Sequence, residues 1–263
     1  MSIFSKDALA DKSIIVTGAS GGIGKAVVHT LVNMGANVTA SGRNVDKLDY
    51  LKEIETGSIQ FVQADIRKPD EREHLVEKAL EANGSLYGLV NAAAASGSFG
   101  GDHLETIEED QLTNIMETNW SATVLLTQLA YKKIALQREG AIINISSLSG
   151  IRGVKGNIPY SSSKFALIGF TQSLAVEAIE HGVRVNAICP GYVDTEMGYH
   201  AILSQANAAG RSYEEQLKLI EEQIPSGHIT QPAEVANITA FLLTDATRNI
   251  VGESVKMSGG VYM

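Results

Sequence analysis

Ser13-Ile14-Ile15-Val16-Thr17-Gly18-Ala19-Ser20-Gly21-Gly22-Ile23-Gly24 is the stretch that decides the fold of this chain. Its first four residues form an apolar run of strand length, and residues 24–34 beyond the glycines carry helical spacing. Gly18, Gly22 and Gly24 therefore fall in a turn between strand and helix. A turn with so few side chains bends tightly and lets the backbone approach a pyrophosphate, whose charge the helix N-terminus stabilises. The spacing G-x-x-x-G-x-G differs from the commoner G-x-G-x-x-G, so the position between strand and helix carries the reading.

The alternation continues along the chain. Apolar runs at 13–16, 37–40, 59–62, 86–90, 141–145, 184–188 and 254–257 read as seven strands, and most are apolar throughout. Continuous runs are expected when helices cover both faces of a parallel sheet. Residues 70–82, 111–137, 163–180 and 233–243 carry the intervening helical spacing. With no break in composition, this predicts one α/β domain over 1–263, a doubly wound, Rossmann-type, seven-stranded parallel sheet. Right-handed crossovers then gather all strand C-termini, and the ligand crevice, on one edge. Residues 194–227 depart from the regular spacing and contain a helical segment at 212–223. An insertion at that point is expected to hang over the crevice as a helical substrate lid.

Composition narrows the function classes. The chain has 263 residues, is 44% hydrophobic and carries a formal charge of −9, enough apolar residue for a sizeable core and the wrong sign for polyanions. Nucleic acid and anionic membrane are thereby excluded as partners, and no stretch has the apolar length of a membrane span. The N-terminal Met1-Ser2-Ile3-Phe4-Ser5-Lys6-Asp7 has no signal-peptide apolar core. A single cysteine, Cys189, cannot form an internal disulfide and fits a reducing cytoplasm. The six histidines show no metal-ligand spacing, so no metal site is expected.

The chemistry is carried by Tyr160-Ser161-Ser162-Ser163-Lys164. Four residues apart on a helix, Tyr160 and Lys164 project from one face, and an ammonium beside a phenol favours the phenolate. A tyrosine so placed is expected to exchange protons at pH values where a free phenol does not. Ser147 stands thirteen residues earlier, just past the apolar run 141–145. Read alone, Ser147 is also a residue that caps a strand end, and Asn119 an ordinary polar residue of a helix.

Taken in order, residues 17–24, Asp65, Asn91, Asn119, Ser147, Tyr160 with Lys164, and Pro190-Gly191 followed by Thr195 resemble the short-chain dehydrogenase/reductase family along essentially the whole chain. The resemblance implies a hydride-transferring enzyme using a nicotinamide dinucleotide. It implies Tyr160 as proton donor to a carbonyl oxygen, and Ser147 as that oxygen's hydrogen-bond partner. Lys164 is implied to hold the nicotinamide ribose and lower the tyrosine pKa, and Asn119 to anchor a water leading from Lys164 to solvent. The implied cofactor contacts are Gly18, Ser20, Gly21, Ile23 and Gly24 at the glycine turn, Arg43, Asp65 and Ile66 about the adenosine, and Asn91 near its ribose. Tyr160, Lys164, Pro190, Gly191, Val193 and Thr195 are the contacts at the nicotinamide end. The family's N-N-A-G reads here Asn91-Ala92-Ala93-Ala94, which removes an amide that ties neighbouring strands and predicts some local loosening.

The end of the second strand reads Ser41-Gly42-Arg43, with glycine where NAD-preferring members carry an acid. A guanidinium there suits a 2′-phosphate, so NADP is expected in preference to NAD, the alternative being a solvated surface arginine. Local features around Glu117-Thr118-Asn119, Ile224-Pro225-Ser226-Gly227-His228 and Ser258-Gly259-Gly260 resemble 3-oxoacyl thioester reductases, including polyketide ketoreductases. The expected substrate is a small-molecule or carrier-bound carbonyl compound, with a 3-oxoacyl thioester on acyl-carrier protein or coenzyme A preferred. A small alcohol, diketone, sugar or hydroxy acid is the enzymatic alternative, and a nucleotide-binding regulator without turnover the non-enzymatic one. Lys132, Lys133, Arg138, Arg152 and Lys155 are expected either to form a basic patch for an acidic carrier or to be scattered solvated charges. Met197 and Tyr199 are expected to meet substrate. Leu125, Leu126, Leu129, Phe165, Leu167 and Phe170 lie on more than one face of two middle helices, and with the resemblance they imply a homo-oligomer, dimer or tetramer.

Overall fold

Strands that are apolar throughout must bury both faces, and here they do. The computed structural model describes residues 5–44, 46–48 and 59–262. Met1 to Phe4, part of the N-terminal reading above, lie outside them. β1 (Ser13–Thr17), β2 (Asn37–Gly42), β3 (Ile59–Gln63), β4 (Gly88–Asn91), β5 (Gly140–Ile145), β6 (Val183–Pro190) and β7 (Ser254–Met257) form one parallel sheet. Its order is β3-β2-β1-β4-β5-β6-β7. The helices are α1 (Gly22–Asn33), α2 (Pro69–Asn83), α3 (Glu109–Met116), α4 (Ala122–Ile134), α5 (Ile158–Ala178), α6 (Glu196–Ala208), α7 (Tyr213–Gln223) and α8 (Pro232–Leu243). Alternate strand residues point to opposite layers. Ile14 and Val16 join Val27, Leu31 and Val235 of α1 and α8 on one face. Ile15 joins Leu75, Leu126 and Ala175 of α2, α4 and α5 on the other. Among the described residues no helix is long and apolar enough to cross a membrane.

The chain runs outward from β1 to β3 and then returns to lay β4 along the other side of β1. The turns leaving β1 and β4 therefore diverge from one point, the topological switch of a doubly wound sheet. They meet closely there. Gly18 has φ +66°, and a Cβ on it would fall 2.6 Å from the Ala92 carbonyl oxygen. Thr17 Oγ1 accepts from the amides of Ala92 and Ala93 at 3.2 and 3.3 Å. The strand-tying amide expected to be missing at Ala92 is supplied one residue earlier. Asn91 Nδ2 donates to Asn144 Oδ1 on β5 at 2.8 Å and to Thr127 Oγ1 on α4 at 3.0 Å. Asn144 Nδ2 continues the chain to Thr171 Oγ1 on α5 at 2.8 Å.

Three elements differ from the sequence expectation. The helix expected over 111–137 is interrupted by a π-helical turn, Glu117–Ser121, between α3 and α4, and closes in a 3₁₀ turn at Ala135–Gln137. α5 begins at Ile158, five residues before 163, because Pro159 lies in its first turn, where a missing N–H costs nothing. The lid holds two helices rather than one. α6 is started by Thr195, whose Oγ1 accepts from the Gly198 amide at 3.1 Å.

The buried amide chain makes a prediction. Asn144→Ala strips partners from Asn91 and Thr171 in a dry interior, and should lower unfolding free energy by about 2–3 kcal/mol. Urea denaturation reads this directly, and an unchanged midpoint would show that the network contributes nothing net.

Candidate active site

β5 delivers Ser147 two residues beyond its end, with extended backbone at φ −164° and its Oγ accepting from the Ser149 amide at 3.1 Å. α5 delivers Tyr160 and Lys164 from one face. Lys164 is 2% exposed. A buried amine needs an acceptor, and Lys164 Nζ donates to the Ile145 carbonyl at 2.9 Å, with the nitrogen 5.5 Å from the Tyr160 ring centroid. In return Ser146 Oγ donates to the Lys164 carbonyl at 3.1 Å.

Electrostatics here depart from the sequence expectation. Burial pushes the Tyr160 phenol up to about 12, opposed by its hydrogen bond with Ser147. Burial pulls Lys164 down to about 8, against a favourable influence of Cys189. Desolvation is the largest cause for each group, and the Lys164 amine is not among the causes that shift the tyrosine. What results is a protonated phenol at neutral pH, the form that donates a proton. Cys189 lies fully buried behind this group, its thiol pushed up by burial, and is no nucleophile.

Asn119 sits in the π turn, 1% exposed. Its Oδ1 accepts from the Ala95 amide at 2.7 Å, while Nδ2 donates to the Ala95 carbonyl at 2.9 Å and to Ser163 Oγ at 3.0 Å. Ser163 Oγ donates to the Tyr160 carbonyl at 2.7 Å. Both amide protons are thus engaged with protein, so the expected water can meet only the carbonyl groups of Asn119. The side chain itself ties the segment after β4 to the first turn of α5. Sequence reading missed Ser163, although its i, i+3 spacing from Tyr160 was a usable signal.

The glycine turn lies across the crevice. A Cβ on Gly22 would stand 2.5 Å from Thr195 Cγ2, so the turn after β1 and the segment after β6 touch. Gly21 caps α1 with no side-chain hydrogen bond, and α1 has no acid in its first turn, leaving its N-terminal amides available to an anion. These residues fit a nucleotide diphosphate. Ser20 Oγ lies beside Gly42, 3.1 Å from where a Cβ would be, and Arg43 follows exposed at the strand end. Asp65 meets Arg67 in a forked pair, with Nε to Oδ1 at 3.0 Å and Nη2 to Oδ2 at 2.6 Å. That guanidinium holds the Asp65 carboxyl below the usual carboxylate range. Arg72 donates to the Ile66 carbonyl at 2.7 Å, fixing the same wall. Asn91 is buried in the interstrand amide chain, its Nδ2 engaged there.

Between these parts lies a cavity of about 560 Å³. Ile23, Pro190, Gly191, Val193 and Thr195 line one end, Ser147 and Tyr160 its floor, and Met197, Ile220 and Ile224 the lid side. Val193 is held by a bridge to Thr230. Tyr199 does not line it. That ring stacks on Tyr213 with centroids 4.6 Å apart. The expected basic patch does not assemble either. Lys132 and Lys133 occupy the last turn of α4, and Arg138 follows it, at the edge where β5 begins. The crevice is at the edge where β5 ends, and only Arg152 and Lys155 of the five line the cavity. Among the described residues, no group of three or more His, Cys, Asp or Glu could hold a metal ion.

Comparison with known proteins agrees in architecture and sequence. The family model for short chain dehydrogenases matches residues 12–205. The chain is 32% identical over 255 residues to 3-oxoacyl-[acyl-carrier-protein] reductase FabG of Rickettsia felis, covering 97% of this chain and 98% of that protein. It is 31% identical over 257 residues to acetoacetyl-CoA reductase of an Acinetobacter species, covering 96% and 98% respectively. Among solved structures, a tryptophan variant of actinorhodin polyketide ketoreductase with NADPH superposes with a TM-score of 0.90 at 29% identity, covering 98% of this chain and 99% of that one.

The buried lysine has a consequence for stability. Between about pH 8 and pH 10 Lys164 has lost its proton in the folded protein and keeps it when unfolded. The unfolded chain then binds more protons, so stability rises with pH across that window. Tyr160 works the other way above about pH 10, where the unfolded phenol ionises first. Lys164→Met should flatten the rise, worth roughly 2–3 kcal/mol, in unfolding curves taken across the window. The Cys189 thiol, also pushed up by burial, opposes the rise in both proteins, so coincident wild-type and variant slopes would contradict the burial of the lysine charge.

Proposed function

The chain belongs to the short chain dehydrogenase family, and on that premise we propose that it is an NADP(H)-dependent ketoreductase acting on 3-oxoacyl thioesters. The carrying observation is that Ser147 and Tyr160 line the floor of a cavity whose end is formed by Ile23 of the glycine turn, with Lys164 buried one helical turn beyond Tyr160. Similarity over 96–97% of this chain to the two reductases named above, of 3-oxoacyl-[acyl-carrier-protein] and of acetoacetyl-CoA, supports this substrate class. When bound, the reduced nicotinamide supplies the hydride. Ser147 Oγ holds the substrate oxygen, and Tyr160 donates the proton that this oxygen takes up as charge develops on it. The remaining N–H groups of Lys164 hold the nicotinamide ribose hydroxyls. Asn119 fixes the first turn of α5, and through it Tyr160, by way of Ser163.

Gly18, Ser20, Gly21, Ile23 and Gly24 cradle the diphosphate on the uncapped start of α1. Arg43, with Ser20 beside it and no acid at the end of β2, receives the 2′-phosphate. Asp65 and Ile66 flank the adenine, with Asp65 already oriented by Arg67, and Asn91 lies near the adenosine ribose. Pro190, Gly191, Val193 and Thr195 meet the carboxamide end. Residues 1–263 act as one domain whose lid, 194–227, closes over the substrate. Leu125 and Phe165 are 42% and 46% exposed, whereas Leu126 and Leu167 are in the core. That second, outward apolar face of α4 and α5 supports a homodimer or tetramer. The reading implies a cytoplasmic setting, which the one buried thiol fits.

Two outcomes follow. Tyr160→Phe should bind NADPH as the wild type does and lose turnover by about 10²–10⁴-fold, and wild-type rates would remove Tyr160 from the chemistry. Arg43→Glu should weaken NADPH binding roughly 10- to 100-fold while leaving NADH nearly unaffected. Fluorescence titration separates the two cofactors, and parallel losses would deny Arg43 its phosphate.

A further inference from the structure

Resting on the ketoreductase reading, we infer that the cavity takes a substrate bearing an oxyanion, held by Arg152 and Lys155. The chain carries 30 acids against 21 lysines and arginines, yet no Asp or Glu lines the cavity, while Arg152, Lys155 and His228 do. Asp102, the acid just behind Gly97 of that wall, is buried, and its carboxylate is taken up by protein donors. Its carboxylate accepts from the Ser98 amide at 3.0 Å and from Gln111 Nε2 at 2.7 Å. A concave, acid-free wall with two cations in an otherwise acidic protein concentrates anions inside it.

The two cations are also placed rather than loose. They lie on residues 151–157, between the turn after Ser147 and the helix that carries Tyr160. A bridge between Asp102 and Asn157 pins this segment, with the Asp102 amide donating to the Gly156 carbonyl at 3.0 Å. The Arg152 guanidinium carbon lies 5.2 Å from the Tyr262 ring centroid. Tyr262 is itself held by its amide's 3.2 Å hydrogen bond to Ser258 Oγ. Stacking occupies one face of the guanidinium and leaves its N–H edges to bond in plane. Among the described residues neither Arg152 nor Lys155 forms an ion pair, although Lys12, Lys47, Arg67, Lys68 and Lys78 each meet a carboxylate. The cofactor diphosphate has its own seat at α1, so the anion these residues await belongs to the substrate.

The oxyanion has two sources, a carboxylate on the reacting molecule or the phosphate of a pantetheine arm. The test compares wild type with an Arg152→Gln/Lys155→Gln double variant on acetoacetate, acetoacetyl-CoA and the neutral S-acetoacetyl-N-acetylcysteamine. We expect kcat/KM for one of the anions, relative to the neutral thioester, to fall at least about tenfold in the variant. A fall with acetoacetate assigns a carboxylate, and a fall with acetoacetyl-CoA assigns the phosphate. Parallel changes on all three, or none, overturn the inference. Were no compound turned over by the wild type, the ketoreductase reading would fail on its own. Calorimetric titration of both proteins with acetoacetate and with pantetheine 4′-phosphate would then decide the anion site, equal binding by the two proteins overturning it.

Discussion

A lysine amine removed from water requires an acceptor, and the position of everything around the crevice follows from how Lys164 finds one. Its Nζ reaches the Ile145 carbonyl at the last residue of β5, and Ser146 answers by donating to the Lys164 carbonyl. These reciprocal bonds clamp the end of β5 to the second turn of α5. The clamp sets Ser147, the next residue of the strand's exit, against Tyr160, one turn before Lys164 on the helix. Without it, two elements joined by a twelve-residue excursion, 146–157, would have no fixed register at the place where register decides chemistry.

The clamp works because the scaffold beneath it is rigid. The Asn91–Asn144–Thr171 chain crosses β4, β5 and α5 in the dry interior, and the Asn119–Ser163 link joins the segment after β4 to the start of α5. These are buried polar contacts in a region otherwise filled by aliphatic side chains, with Asn91 Oδ1 alone in the network left without a partner among the described residues, and such contacts specify one arrangement more than they add stability. On the opposite side of the crevice the constraint is steric. The turn after β1 approaches the turn after β4, and the segment after β6, closely enough to exclude a Cβ. One wall is set by hydrogen bonds and the other by the absence of side chains, and the reacting groups stand between them.

Much of this was legible in the sequence. Inner parallel strands covered on both faces leave apolar runs, the partly exposed edge strands β3 and β7 leave mixed ones, and all seven fall near their observed ends, while the glycine spacing located the turn between β1 and α1. What could not be read depends on tertiary packing. A π turn inserts one residue into a helical pattern without erasing it, so 111–137 read as one helix. α6 buries little beyond Ile202 and Ala206 and shows no strong period, although Thr195 ahead of it was an available start signal. The direction of the Tyr160 and Lys164 shifts reverses the sequence expectation for the tyrosine, because spacing along a helix reveals proximity and says nothing of desolvation. Lys132, Lys133 and Arg138 are near the active-site residues in the chain and at the far edge of the sheet in space.

The central claim is that this crevice reduces a 3-oxoacyl thioester with NADPH. The most direct measurement is the loss of NADPH or NADH absorbance with acetoacetyl-CoA and with a panel of small ketones, diketones and sugars, all under one set of conditions. The account predicts thioester-dependent oxidation of NADPH exceeding that of NADH, and exceeding any small ketone, by at least about tenfold in kcat/KM. Preference for NADH, or turnover confined to the small carbonyl compounds, would contradict it.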